Sequence, residues 1–495
     1  MRTRTNFLIL ISALLLSSCN TNNEKPFVRT LFEEDFVSGK TFTTFADLPP
    51  SPISETDLSQ YKDLGFNTCL LTEDRVPLID TEGHLSDSYK QAIRNIGNAN
   101  MKCWIRNMYN DPDYFECDTE AASKQRSNYG APYSLKERHL TTEFQEFDDI
   151  ISGFYQGDEI YQYTETPVEH YEIPEDAPYR YSAMDQYQKL VDWQNEYYPN
   201  KAFHVNHVPS SSINHWPIGN TYESFIKYYV NEVMDKFVGD GMKTICLDNY
   251  PYRSVLREAI SPTYLTDLLT CAKIAKEYNE THDKKSTFGF CVQLHSYTST
   301  QSLGNLTGPM SPEEITYNLY SGLSMGARLI EYFCYRSIST VTGIVNNDGS
   351  VNERYGFTKE ANRRVLPLQD VLSNFEWQNF YPVRADISNE IENQEAFDNI
   401  DSMIDKNNLG CLDIDQVSSR LDASIGYFKN NNQDAYFIVN QSAPIKNQIN
   451  TINISFKDCN QALLYHEDSV QFIKLINGAY RLNLKPGDAY FLIPA

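Results

Sequence analysis

Between Lys40 and Tyr381, short apolar runs alternate with helical stretches, and this alternation constrains the fold more than any other property of the chain. The strand-like runs are Thr41–Phe45, Phe66–Leu71, Lys102–Met108, Ile151–Ile160, Phe203–His207, Thr244–Asn249, Thr287–Leu294 and Arg328–Tyr335. Helical patterns separate them, at Ser54–Leu64, Asp87–Ala99, Thr142–Ile150, Met184–Tyr197, Tyr222–Phe237, Pro262–Tyr278, Ser311–Gly326 and Thr358–Leu372. Local signals agree with this reading. Ser54 with Asp57, and Ser311 followed by Pro312 and two acids, are helix starts in which a hydroxyl accepts from otherwise unpaired backbone N–H groups. Eight strand–helix units predict a (β/α)8 TIM barrel over residues 40–380, with long excursions at 109–140 and 161–181. A doubly wound open sheet would want a glycine-rich phosphate turn early in the chain, and none is present. Beyond 381 the pattern changes to an irregular connector, 381–424. A small C-terminal antiparallel β-sandwich domain follows over 425–495, with Asn477-Gly478 and Pro486-Gly487 as its turns.

Charge limits the partners. Lys and Arg number 42 against 66 Asp and Glu, a net charge of −24 that repels phosphate backbones, so nucleic acid is not an expected partner. The N-terminus carries Arg2 and Arg4 before an apolar run from Phe7 to Leu16, too short to span a membrane but suited to an export signal. The following Leu16-Ser17-Ser18-Cys19 resembles the lipobox of bacterial lipoproteins. That resemblance implies cleavage after residue 18 and lipidation of Cys19. It also implies a membrane partner through the lipid anchor, residence in the cell envelope, and a tether over residues 20–39. Cys69, Cys103, Cys246, Cys291 and Cys334 each sit inside an apolar run, where cysteine behaves as a small hydrophobe rather than as part of a disulfide framework. No paired-cysteine or histidine-rich spacing marks a metal site, and neither a metal nor a cofactor is expected.

Barrel enzymes collect their working side chains from the carboxyl ends of several strands. Those ends supply Asn67 and Glu73, Arg106, the pair Asp158 and Glu159, Asn206 and His207, Asp248 and Asn249, Gln293 and His295, and Glu331 and Tyr335. Any one of them could be a packed polar residue or a helix cap; polar groups on so many strand ends argue for a common site. Period-two alternation puts Thr244, Cys246 and Asp248 on one face, and Tyr155, Gly157 and Glu159 on another strand's inner face, with Asp158 as neighbour. His204 and His207, three apart, point to opposite faces and are read as non-metal, His207 as a hydrogen-bonding site residue. Glycosidic cleavage needs two carboxyl groups across one bond. Glu159 and Asp248 are the candidate pair, with Glu331 in reserve. Trp216, Tyr250 and Tyr335 offer flat faces for sugar rings. Neither a Gly-x-Ser-x-Gly elbow nor an HExxH motif is present, which argues against esterase and metallopeptidase chemistry.

Gly157-Asp158-Glu159, Asp248-Asn249-Tyr250-Pro251, and the run from Pro312-Glu313-Glu314 through Ser324-Met325-Gly326-Ala327 to Glu331-Tyr332-Phe333 and Tyr335 carry a family likeness. Together they resemble the β-galactosidase-like (β/α)8 glycoside hydrolases of the large retaining clan, of the family 42 type. The resemblance implies a carbohydrate substrate and makes Glu159 the acid/base. It also implies a nucleophilic glutamate at the end of the seventh strand, where this chain has Gln293. A glutamine cannot form a glycosyl ester. Either Asp248 or Glu331 replaces it, or the barrel is a non-catalytic carbohydrate-binding surface lipoprotein.

Overall fold

The computed structural model describes residues 31–36, 38, 40–47, 53–72, 84–106, 143–158, 183–212, 221–252, 260–283, 285–297, 311–338, 341–387, 392–404 and 414–495. The barrel strands are Thr43–Ala46 (β1), Thr68–Thr72 (β2), Lys102–Arg106 (β3), Ile151–Asp158 (β4), Ala202–His207 (β5), Lys243–Leu247 (β6), Ser286–Gln293 (β7) and Leu329–Phe333 (β8). All eight are parallel and lie in the order β1-β8-β7-β6-β5-β4-β3-β2, a nearly closed barrel. Asn67 sutures the remaining gap between β1 and β2. Its backbone N–H donates to Thr44 O at 3.1 Å and its Oδ1 accepts from Thr44 N at 3.0 Å. Asn67 therefore precedes β2 and sits at the opposite end from the strand terminus that the sequence reading gave it; Glu73 lies outside the described residues.

Helices cover the outside: Glu55–Asp63 (α1), Asp87–Asn98 (α2), Ala183–Tyr197 (α3), Tyr222–Glu232 (α4), Pro262–Thr281 (α5), Pro312–Ser324 (α6) and Glu353–Val365 (α7). Both expected caps form. Ser54 and Asp57 make a reciprocal capping box, and Ser311 Oγ accepts from Glu314 N at 3.3 Å. Before β4, where a full helix was expected, the described residues hold a 3-10 turn, Phe144–Phe147. Alternation sorts the strands as it should. Ile245, Leu247, Phe290 and Val292 pack outward with the helices, while Phe45, Leu70, Trp104, Tyr155, Cys246 and Leu329 fill the interior. Gly322 lets α6 lie directly on β7, because a Cβ there would stand 2.3 Å from the Phe290 ring.

The C-terminal unit pairs a six-stranded antiparallel sheet with a three-stranded one, as a sandwich. The larger sheet contains Glu376–Val383 (β9), Ala423–Asn430 (β11), Gln433–Asn440 (β12), Ala489–Pro494 (β17), Gln461–His466 (β14) and Ser469–Lys474 (β15), in that spatial order. The smaller contains Ile414–Ser419 (β10), Asn450–Phe456 (β13) and Ala479–Leu484 (β16). Two stretches read from sequence as irregular carry structure. The connector at 381–424 contains the end of β9, a helix Gln394–Met403 (α8) and β10. Within the presumed tether, Leu31 and Phe36 are buried and Phe36 stacks on Phe375 at 5.3 Å. The tight turn at Asn477-Gly478 forms as expected, with φ of 50° and 76°. The large sheet lays its second face on the barrel: Tyr320 of α6 meets Phe437 edge-on at 5.8 Å, and Tyr317 donates to Gln441 Oε1 at 2.8 Å.

Candidate active site

The carboxyl ends of the strands gather Arg106, Asn206, Asp248, Tyr250, Gln293 and His295 around one rim. Asp248 follows β6 directly, and its backbone N–H continues the ladder by donating to His207 O at 2.8 Å. It and Arg106 are the half-buried members of an otherwise buried group. Tyr250 hydrogen-bonds to the Asp248 carboxylate, and burial together with that carboxylate pushes its phenol well above the ordinary range. The phenol therefore keeps its proton at all physiological pH and can orient the Asp248 carboxyl group. The Tyr250 ring is wedged edge-on against His295 at 4.6 Å, with its hydroxyl 3.6 Å from Cys291 Sγ. His295 Nδ1 donates to Phe333 O at 2.9 Å, and burial pulls its pKa down to about 4, so the ring is neutral.

Across the rim, Arg106 grips Asp47 through two contacts of 2.8 and 3.0 Å and lies over the Tyr155 ring at 4.8 Å. Asp47 escaped the sequence reading, although the logic that selected Asp248 applies to it: it is the carboxylate that follows the first strand.

On β4 the expected phase is wrong. Tyr155 pairs with His204 and Gly157 with Val205, so two residues of β4 answer one of β5. At this bulge Gln156 turns to α3, donating to Gln194 Oε1 at 2.7 Å. Asp158, not Glu159, then takes the register position opposite Asn206, a residue on the same strand face as His204. A period-two count cannot register an inserted residue. The side chain of Asp158 is not among those described, and Glu159, Trp216 and Cys19 lie outside the described residues.

Other candidates are turned to structural work. His207 faces the helices, with its ring 4.3 Å from Tyr229 and 6.2 Å from Phe225. Neither of its nitrogens finds a hydrogen-bond partner, and burial pulls its pKa to about 3. The two histidines of β5 do oppose one another, but His204 is the inward one. Asn249 Nδ2 donates to Asp267 Oδ2 of α5 at 2.9 Å, and that oxygen also accepts from Ser210 N at 2.9 Å. Tyr335 is buried against Tyr61 at 5.3 Å, with no face free for a sugar. Gln293 clamps the loop after β6, its Oε1 accepting from Tyr252 N at 3.2 Å and its Nε2 donating to Tyr252 O at 3.3 Å. Glu331 points inward but lies below the rim at 1% exposure, with Tyr155 Oη 3.3 Å from its Oε1.

No family model and no curated protein sequence matches this chain. Solved structures do. A family 39 glycoside hydrolase from the gut symbiont Bacteroides cellulosilyticus WH2 superposes with a TM-score of 0.50 at 12% identity, covering 94% of this chain and 83% of that one. A β-galactosidase from the Antarctic haloarchaeon Halorubrum lacusprofundi gives 0.43 at 13% identity, over 66% of this chain and 57% of its own. An Anoxybacillus α-amylase gives 0.44 at 10%, over 92% and 96%. The first of these shares the fold of this chain; identities this low say nothing of shared residues.

Proposed function

We propose that the chain is an exported, lipid-anchored glycoside hydrolase, β-galactosidase-like, that cleaves O-glycosyl bonds of an oligo- or polysaccharide with two carboxyl groups. The observation that carries this reading is Asp248: a half-exposed carboxylate at the barrel mouth, held by a buried phenol. Two strands away, Asp158 at the end of β4 is in register with Asn206 of the intervening β5, and Glu159 follows at once in sequence. The family 39 enzyme with which the chain shares its fold supports the same reaction class. In this reading Glu159 protonates the departing glycosidic oxygen, and Asp248 attacks the anomeric carbon or activates a water. Gln293, tied through both amide atoms to the Tyr252 backbone, has no part in the chemistry. Arg106 and Asn206 stand where sugar hydroxyls would pass. The basic and apolar N-terminus ending in Cys19 supports export and anchoring to the cell envelope.

A panel of plant and host glycans assayed with wild type and Glu159→Gln tests the proposal. The expected loss is about two orders of magnitude or more, the scale of acid/base assistance. Unchanged turnover by the variant would remove Glu159 from the mechanism.

A further inference from the structure

Beneath the rim, three side chains on three separate strands bring metal-ligand atoms together inside the barrel: His204 of β5, Cys246 of β6 and Glu331 of β8. One nitrogen, one sulfur and one carboxylate oxygen all lie within 4.8 Å of one another, and all three residues are buried. Oε2 of Glu331 is 3.5 Å from His204 Nε2 and 3.8 Å from Cys246 Sγ.

The tautomer of His204 follows from its other nitrogen. His204 Nδ1 shares a 2.9 Å hydrogen bond with Thr244 Oγ1, and where that hydroxyl gives its own proton to Phe203 O, 3.4 Å away, Nδ1 is the donor. With the proton on Nδ1, Nε2 turns a lone pair toward Glu331. That nitrogen makes no hydrogen bond among the described residues, although the residue is wholly buried. A hydrogen bond between Nε2 and the carboxyl would close to roughly 2.7–3.2 Å. Ligands around a tetrahedral zinc, with bonds of about 2.0–2.3 Å, stand roughly 3.4–3.6 Å apart. The 3.5 Å between Nε2 and Oε2 fits the second spacing, and the 3.8 Å from Cys246 Sγ to Oε2, spanned here by the thiol donating to the carboxylate, would shorten as the ion replaces that proton.

We infer that His204 Nε2, Cys246 Sγ and Glu331 Oε2 form a buried binding site for one divalent metal ion of the zinc class. The donor set selects that class, since a thiolate and an imidazole suit zinc and not magnesium or calcium. Charge closes as well: a dication with one thiolate and one carboxylate is neutral, the condition for a site enclosed by Phe45, Trp104 and Tyr155. Binding deprotonates the thiol, with sulfur taking the metal and the proton leaving to solvent. Two further contacts orient the ligands as outer-shell partners do, Thr244 on His204 and the Tyr155 hydroxyl on Glu331. The three ligands come from strands far apart in sequence, so no spacing motif announces them. The ion would pin β5, β6 and β8 together one side-chain layer below Asp248.

The test uses the full chain expressed in zinc-supplemented medium and dialysed against metal-free buffer. Elemental analysis should find about one zinc per chain, falling at least about tenfold in Cys246→Ser and in His204→Gln. Wild type that retains no more metal than Cys246→Ser overturns the site. Should the variants fail to fold, X-ray absorption at the zinc edge of wild type decides alone. One sulfur at about 2.3 Å with nitrogen and oxygen near about 2.0 Å supports the site, and a shell without sulfur, or no bound zinc, overturns it.

Discussion

Asp248 and Glu331 project into the same barrel from strands separated only by β7, and both answer the same sequence criterion: a carboxylate taken as lying toward the end of a strand. Their surroundings differ in kind. Asp248 stands past the end of β6, half exposed, beside a phenol that donates to it. Glu331 stands mid-strand at 1% exposure, in register with Phe45 and Cys291, within reach of Tyr155, His204 and Cys246. Depth along the strand separates a group that can meet a substrate from one that can meet only its neighbours. An inward direction is necessary for a site residue and is not sufficient.

The widest way to break this contrast is to neutralise each carboxylate and ask whether rate or stability responds. Asp248→Asn keeps the shape and removes the charge, so turnover of a responsive glycan should fall about 10²–10⁴-fold. Its unfolding free energy should stay within about 1 kcal/mol of wild type, because asparagine keeps the shape of this half-buried side chain. Glu331→Ala should do the reverse to the fold. Truncating a wholly buried side chain leaves a void beside Tyr155 and His204 and should cost about 2–5 kcal/mol of unfolding free energy by urea titration. If Asp248→Asn destabilised the protein as much as Glu331→Ala, the distinction between rim and interior would be false and Asp248 would be a core residue.

The architecture was legible because it rests on repeated, local signals. Strand runs of four to eight residues, hydroxyl-and-acid helix starts and the Asn477-Gly478 turn all act within a few residues of the chain, and each formed where it was read. The site was legible only to the level of strand ends. The β4 bulge put Asp158 in register with Asn206, which a period-two count did not expect, because an extra residue changes strand phase without altering composition. His207 and Asn249 were chosen as strand-end polar groups, and only tertiary packing shows that they face α4 and α5. The Arg106–Asp47 pair joins the third strand to the first, a contact with no local trace. Two of the elements that sequence missed in the C-terminal half, β9 and β10, draw their stability from sheet partners distant in the chain, β11 and β13.

A residue can also be sealed by direction instead of depth, and His207 measures that case. It is next in sequence to the rim residue Asn206, yet its ring faces Tyr229 and Phe225 and its pKa is held near about 3 by burial. An unfolded histidine titrates near about 6.5. Because the folded value is the lower one, the unfolded chain binds more protons in acid. The contribution of the neutral ring is complete above about pH 6.5 and is lost as pH falls from there toward about 3, at up to about 1.4 kcal/mol per pH unit. His295, held at about 4, adds a second slope of the same sign over a narrower window. His207→Phe preserves the aromatic contacts and removes one titration, so its stability should decline less steeply than that of wild type between pH 6.5 and 4. Parallel urea midpoints at several pH values read the difference directly. Identical slopes would mean that His207 reaches water, and the outward face of β5 would then belong with the rim and not with the sealed layer.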